Sequence, residues 1–271
     1  MSRAFLGVQK LCTVLSFTIY GACSELPDSK LLDSNIVGGR TVAQGEKVAR
    51  SIVGIKLTDP SSGLTGTCTG SLIDKDFVLT AAHCLEGGNL EVSLHFGNDI
   101  RQAGESPLST VSTVIHEEYE PNSEDEKLTH DIGLVHFKGK LPIGYAPATF
   151  LPANRILKNA SPVTLAGYGV SNGFFGTGSG ILRVVKVSIL DSEFSEKEVE
   201  LDQSAGRGAC NGDSGGPAYV ESGSKLYLWG ITSRGANGCV RSSVYTNAVK
   251  YMTWIKAQKI QLRAAAALET E

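Results

Sequence analysis

The chain has 271 residues, of which 41% are hydrophobic and 20% are charged, and its formal net charge is −3. The absence of a basic surplus argues against a nucleic-acid partner. No apolar run reaches the roughly 18 residues that a membrane-spanning helix needs. The composition is therefore that of an ordinary globular protein.

The first 22 residues are predicted to be an export signal. Two basic residues precede the apolar stretch from Leu11 to Tyr20, which is followed by Gly-Ala-Cys. This ending also resembles a lipoprotein cleavage site, so a lipid on Cys23 would anchor the precursor to a membrane. The alternative is a plain secretory signal and an unpaired thiol. Either way we expect a secreted, periplasmic or cell-envelope protein, with residues 23–35 as a polar propeptide.

From residue 36 onward the sequence is typical of an all-β protein. Glycine, proline and asparagine turns separate short apolar segments, which favours a β-sandwich or β-barrels. From Val249 to about Leu262 the apolar spacing becomes helical. The predicted strands are 50–57, 71–80, 90–96, 111–116, 132–137, 162–165, 182–190, 217–220, 227–233 and 243–246.

Three separate motifs carry candidate chemistry. His83 lies in TAAHC, Asp131 opens the apolar run DIGLV, and Ser214 lies in GDSGGP. A serine is a weak nucleophile, so it needs a base, a group that holds the base, and backbone N–H donors near the reacting carbonyl. Asp99 and Asp125 compete with Asp131 for the role of the holding group. Only Asp131 opens an apolar run, which would bury its carboxylate.

The remaining histidines predict no metal site. None of them shows zinc-like spacing with a second ligand, so we expect structural or surface roles for His95, His116, His130 and His136. No cofactor is expected.

The chain resembles the trypsin/chymotrypsin family of serine endopeptidases, as an exported member of bacterial type. The likeness covers Ile36 to about Lys259, in the family's chain order His, Asp, Ser. It implies two packed six-stranded antiparallel β-barrels with a C-terminal helix over residues 36–271, and a monomer that hydrolyses protein or peptide substrates. The resemblance is carried by IVGG, TAAHC, DIGLV, AGYG, GDSGGP, VYT and WI.

The resemblance implies a role for each motif residue. Ser214 would attack the peptide carbonyl and form an acyl-enzyme, and His83 would accept and return the proton. Asp131 would orient the imidazole, and the backbone amides of Gly212 and Ser214 would form the oxyanion hole. Two disulfides are also implied, which fits an oxidising compartment: Cys68–Cys84 and Cys210–Cys239.

The resemblance further implies a zymogen. Cleavage before Ile36 would free an ammonium group that pairs with Asp213, a carboxylate expected to be buried. The glycine-rich stretch from Asn172 to Gly180 suits such an ordering step. Asn35 precedes the cut, where Lys or Arg is common. Either an activating protease of different preference cuts there, or the enzyme accepts asparagine itself.

The primary specificity pocket is predicted to be uncharged. Gly208 matches the floor position, where cleavage after Lys or Arg needs an acid, so we expect a preference for small to medium apolar or aromatic residues. Arg234 stands where relatives carry tryptophan, and it either pairs with acidic substrate residues or points to solvent. The expected pocket residues are Gly208, Ala209, Ser233, Gly235 and Ser243.

Overall fold

The computed structural model describes residues 36–87, 89–102, 108–121 and 129–268. These residues all belong to one structural unit, Asp33–Glu271. The predicted export signal and propeptide, including Cys23 and Asn35, lie outside the described residues. No helix among those residues combines the length and the apolar character required to cross a membrane.

In the described ranges the chain forms fourteen strands and one long helix. The strands are β1 Arg40–Thr41, β2 Ile52–Thr58, β3 Thr65–Asp74, β4 Phe77–Thr80, β5 Glu91–His95, β6 Leu108–Ile115, β7 Gly133–Lys138, β8 Thr149–Phe150, β9 Pro162–Gly167, β10 Arg183–Asp191, β11 Glu198–Gln203, β12 Pro217–Ser222, β13 Lys225–Gly235 and β14 Arg241–Asn247, and the helix is α1 Met252–Leu268.

The first barrel closes through antiparallel neighbours in the order β2-β3-β4-β7-β6-β5. The prediction of a single strand over 71–80 is wrong, because two strands with a turn at Lys75 and Asp76 occupy this segment. The carboxylate of Asp74 accepts a hydrogen bond from the Lys75 amide at 2.8 Å, which favours a turn over a continuing strand. The buried residues of these strands are mostly apolar and include Ile52, Ile55, Leu72, Phe77 and Leu94.

The second barrel closes in the order β9-β10-β11-β14-β13-β12, and β12 pairs back with β9. Strand β1 adds to β10, and β8 pairs in parallel with β13. Its core contains Leu165, Leu201, Trp229 and Tyr245. The prediction of two packed six-stranded antiparallel barrels is thereby confirmed.

Strand β11 was not predicted from the sequence. Its residues read Glu-Val-Glu-Leu-Asp-Gln, which is too acidic to suggest a buried strand. Nevertheless Glu198 and Gln203 are buried, because each finds polar partners inside the protein.

The C-terminal helix extends beyond Leu262 into the run of alanines that follows. A 3-10 turn over Ala248–Tyr251 precedes α1, which continues six residues beyond Leu262. The Arg263 guanidinium donates to the carboxylates of Asp74 and Asp76 at 2.9 and 2.8 Å. These contacts tie the last turns of the helix to the first barrel.

Candidate active site

The three candidate side chains come from segments that connect strands. His83 lies in the 3-10 turn Ala82–Cys84 after β4, Asp131 lies just before β7, and Ser214 lies in the loop before β12. The first two therefore belong to the first barrel and the third to the second. A disulfide between Cys68 and Cys84 joins the turn that carries His83 to β3.

The carboxylate of Asp131 makes two hydrogen bonds with His83. Its Oδ1 accepts the backbone N–H of His83 at 3.0 Å, and its Oδ2 lies 2.8 Å from His83 Nδ1. Oδ2 also accepts the hydroxyl of Ser233 at 2.7 Å. An ionised carboxylate only accepts hydrogen bonds, so Nδ1 carries the proton and Nε2 keeps a free lone pair. The imidazole is thus held in the tautomer that a general base requires.

The electrostatics of this pair favour charge on both partners. Burial opposes ionisation of Asp131, but its bonds with His83 and Ser233 hold the pKa of the carboxyl below its usual range. Burial also disfavours a charged His83, yet the Asp131 carboxylate raises the pKa of the imidazole. The arrangement therefore stabilises an imidazolium at the moment when His83 takes a proton.

Ser214 lies in the same neighbourhood. Its carbonyl oxygen accepts the backbone N–H of Thr69 at 2.8 Å and lies 3.7 Å from the Sγ of Cys84, the residue after His83. The Thr69 hydroxyl donates to the Gly212 carbonyl at 2.9 Å. Thr69 therefore anchors the loop of Ser214 against the first barrel, a role that nothing in the sequence indicated.

The loop around Ser214 leaves two backbone amides available. The amides of Asp213 and Gly216 donate to carbonyls within the loop, and the amide of Gly215 donates to the Thr232 carbonyl on β13. Within the described ranges no hydrogen bond uses the amides of Gly212 and Ser214. Gly215 has a φ of 78°, and a Cβ there would come within 2.0 Å of the Thr80 hydroxyl. Only glycine fits at this close approach. The two amides can serve as donors to a developing oxyanion.

Asp213 is buried, and within the described part of the chain its carboxylate is hydrogen-bonded only to backbone amides. Its Oδ1 accepts the amide of Gly169 at 2.8 Å and its Oδ2 accepts the amide of Cys210 at 2.9 Å. Burial raises the pKa of Asp213 to about 6, although these bonds and the charge of Arg183 act in the opposite direction. In this continuous chain the nitrogen of Ile36 is a peptide nitrogen, so it brings no charge to the carboxylate.

This pKa predicts how the stability of the uncut chain depends on pH. Because the folded-state pKa lies above the ordinary value of 3.8, the unfolded chain releases the proton first as pH rises. Stability is therefore lost between about pH 4 and pH 6, by about 3 kcal/mol in total for this group. Urea unfolding of the uncut chain and of Asp213→Asn at several pH values should show this difference. If the unfolding free energies of the two proteins changed in the same way with pH, the prediction would be contradicted.

A cavity of about 170 Å³ opens beside Ser214. Of the expected pocket residues, Ala209, Ser233, Gly235 and Ser243 line it. Gly208 is not among the lining residues. The space next to it holds the side chain of Gln203, whose amide bonds to both the N–H and the carbonyl of Ala209. The lining is uncharged except for Arg234.

Arg234 was expected to pair with acidic substrate residues or to point to solvent, but instead it pairs with a residue of this chain. Its guanidinium nitrogens donate to both carboxylate oxygens of Glu198, at 2.8 and 2.7 Å. Glu198 is buried, and the hydroxyl of Thr129 also donates to it at 2.8 Å. The positive charge beside the cavity is therefore neutralised by a partner on β11.

Removing the cation of this pair is expected to destabilise the protein. Arg234→Ala would leave Glu198 charged and buried, which costs about 3 kcal/mol of unfolding free energy. Replacing both residues, as Arg234→Met with Glu198→Leu, should restore most of the loss. Urea denaturation measures the unfolding free energy of the single variant and of the double variant. A double variant no more stable than Arg234→Ala would refute the explanation.

The histidines form one cluster that the sequence did not indicate. His116, Glu118 and His130 place one potential ligand atom each within 4.8 Å of one another. Their spacing in the chain gave no sign of this, because His116 and His130 are 14 positions apart. Cys68, His83 and Cys84 also lie close together, but the two sulfurs form a disulfide and so are not thiolate ligands.

A family model described as trypsin matches residues 36–255. The chain is 34% identical over 211 residues to a chymotrypsin of Phaedon cochleariae, which covers 72% of this chain and 74% of that protein. It is 29% identical over 205 residues to a brachyurin of Leptuca pugilator, with coverages of 70% and 87%. A solved structure of HL collagenase shares the fold, with a TM-score of 0.68, 24% identity, and coverages of 82% and 97%.

Proposed function

Since this chain belongs to the trypsin family and is a serine endopeptidase, we propose that Ser214, His83 and Asp131 form its catalytic triad. The observation that carries this proposal is the pair of hydrogen bonds between His83 and Asp131. It supports an imidazole whose free Nε2 can act as a general base.

The reaction would proceed in two halves. The Ser214 oxygen bonds to the substrate carbonyl carbon while its proton moves to His83 Nε2. The resulting oxyanion accepts hydrogen bonds from the amides of Gly212 and Ser214. The carbon–nitrogen bond then breaks as His83 returns the proton to the leaving amine, which leaves an acyl-enzyme. Water then attacks the ester carbonyl carbon as His83 takes its proton. The bond to the Ser214 oxygen breaks, His83 returns the proton to that oxygen, and the substrate leaves as a carboxylic acid.

The primary pocket is proposed to take an uncharged residue on the amino side of the cut bond. The cavity beside Ser214 supports this, because Arg234 is paired with Glu198 and the other lining side chains carry no charge. Its volume of about 170 Å³ suits a small to medium side chain.

An acid in this pocket should redirect the specificity. Ser243→Asp would put an unpaired carboxylate in the cavity, which a substrate lysine or arginine would neutralise. We expect kcat/KM for an arginine substrate, relative to its leucine counterpart, to rise at least about tenfold. Ser243→Asn is the matched uncharged control. Equal effects of the two substitutions would contradict the assignment of Ser243 to the pocket.

We also propose that the chain is exported and that residues 36–271 form the mature protease after a cut before Ile36. The two disulfides support export, because such bonds persist in oxidising compartments. The burial of Asp213 supports activation, because a buried carboxylate is expensive without a cationic partner.

The proposed function is tested by incubating chain processed to begin at Ile36 with a peptide library. Mass spectrometry of the products should show internal cleavage after uncharged residues, and none with Ser214→Ala. No cleavage by the processed chain would refute the proposed activity. Cleavage confined to lysine and arginine sites would refute only the pocket assignment.

A further inference from the structure

The cluster of His116, Glu118 and His130 lies next to the candidate triad. His130 directly precedes Asp131, and the three potential ligand atoms lie within 4.8 Å of one another. Oε2 of Glu118 is 3.7 Å from Nδ1 of His130. Two ligands on one zinc ion, with bonds of about 2.0–2.1 Å, stand at a similar separation. We propose that these three side chains bind a divalent transition metal such as zinc.

The ligand set has the right chemistry for this class of metal. Imidazole nitrogens suit zinc, copper and nickel, and a carboxylate oxygen completes a three-ligand zinc site with room for a water molecule. Calcium and magnesium, which prefer all-oxygen sites, fit it poorly. The two imidazoles thus select the metal class.

The two histidine rings of the cluster are packed against each other and against aromatic neighbours. The rings of His116 and His130 stack with centroids 5.0 Å apart, and Trp254 covers His116 at 5.1 Å. The hydroxyl of Tyr251 lies 3.1 Å from Nδ1 of His130.

The backbone supports the same arrangement. His130 has a φ of 47°, in the left-handed region where residues other than glycine are uncommon, although asparagine, aspartate and histidine are enriched there. The amide of Glu118 donates to Nδ1 of His116 at 3.2 Å, which orients that ring. Strained residues persist where the surrounding structure determines them, as at binding sites.

The surrounding charges leave the site open to a cation. Glu117 is a second carboxylate beside it and accepts the indole N–H of Trp254 at 2.8 Å. Lys197 is the opposing charge, and its ammonium lies over the Tyr251 ring, 5.1 Å from the centroid. Among these neighbours there are thus two carboxylates, at Glu117 and Glu118, and one ammonium group, so the local charge favours a cation.

A bound metal would clamp the segment that positions Asp131. The His130 carbonyl accepts the amide of Ile132 at 2.8 Å, and the His116 amide donates to the Ile132 carbonyl at 3.0 Å. The three ligands would therefore join both sides of this segment. Any effect on hydrolysis rests on the proposed function, whereas metal binding itself does not.

The test is zinc binding by the full chain, measured by equilibrium dialysis with metal quantification near pH 7.5. We expect the unmodified chain to bind one zinc ion. Glu118→Gln and His130→Asn should each weaken the affinity for zinc at least about tenfold. Both variants should fold, because Glu118 is exposed and asparagine tolerates the backbone angle of His130. His95→Asn removes a histidine elsewhere and should bind zinc like the unmodified chain.

Two results would overturn the site. The first is no zinc bound by the unmodified chain. The second is equal affinity in the unmodified chain and both ligand variants, which would place the metal on other groups, such as the thiols of Cys12 and Cys23. Because this readout is independent of hydrolysis, an inactive but zinc-binding chain would count against the proposed function alone.

Discussion

Ser214→Ala in the processed chain should lower kcat for peptide hydrolysis by roughly 10⁴- to 10⁶-fold. The reason is that no other oxygen in the loop can form the acyl-enzyme, and the remaining acceleration would come only from the oxyanion donors and substrate binding. Steady-state kinetics with one fluorogenic peptide measure this loss. KM should change little, because the serine hydroxyl contributes mainly to the transition state.

Two further variants test whether Ser214 and His83 act together in catalysis. His83→Ala should cost about as much as Ser214→Ala, and the double variant should be no worse than either single one. Ser224→Ala, at an exposed serine outside the site, should leave kcat unchanged. Additive losses in the double variant would mean that the two side chains act separately, and the triad would have to be abandoned.

Cleavage before Ile36 should raise kcat/KM by roughly 10²- to 10³-fold. The physical reason is Asp213, whose pKa of about 6 reflects a buried carboxylate without a formal positive partner in direct contact. A new ammonium at Ile36 would supply that partner, and a buried charge that lacks its partner costs about 3–5 kcal/mol. Asn35→Arg makes the site cleavable by trypsin, so activity can be followed before and after a defined cut.

The position of the cut provides the control. Asp33→Lys allows cleavage two residues earlier, so the new chain begins at Ser34 and the Ile36 nitrogen stays in a peptide bond. This product should keep the low activity of the uncut chain. Asp213→Asn should likewise prevent activation after the correct cut. Full activity of the uncut chain, or of the chain beginning at Ser34, would contradict the scheme.

The structure of the uncut chain fits a short activation movement. The Ile36 side chain is only 1% exposed and packs among the core residues of the second barrel. The carbonyl of Val37 accepts the amide of Gly208 at 2.9 Å. The segment after the cut therefore already lies against the loop that leads to Ser214, and mainly the charge at Ile36 would change.

The sequence predicts best what depends on local motifs. His83, Asp131 and Ser214 each stand in a short pattern whose chemistry can be recognised, and the structure brings His83 and Asp131 within hydrogen-bond distance. The two barrels could be predicted only through the resemblance, because alternating apolar strands alone also fit a sandwich. Local patterns therefore identified the candidate site before the fold was certain.

What the sequence could not predict depends on register between distant strands. The Arg234–Glu198 pair joins β13 to β11 across β14, and no local pattern links the two residues. Gln203 beside Gly208 is a second case, because its amide reaches the loop only when β11 pairs with β14. His116 and His130 meet because β6 and β7 are neighbours, although their sequence spacing matches no metal motif.

The most direct measurement of the central claim is covalent labelling of the processed chain with a fluorophosphonate, followed by peptide mass spectrometry. Such reagents react with a serine only when a base and an oxyanion hole activate it. The account predicts one adduct per chain, on Ser214, and loss of labelling with His83→Ala. An adduct on another residue, or equal labelling of the His83→Ala chain, would contradict it.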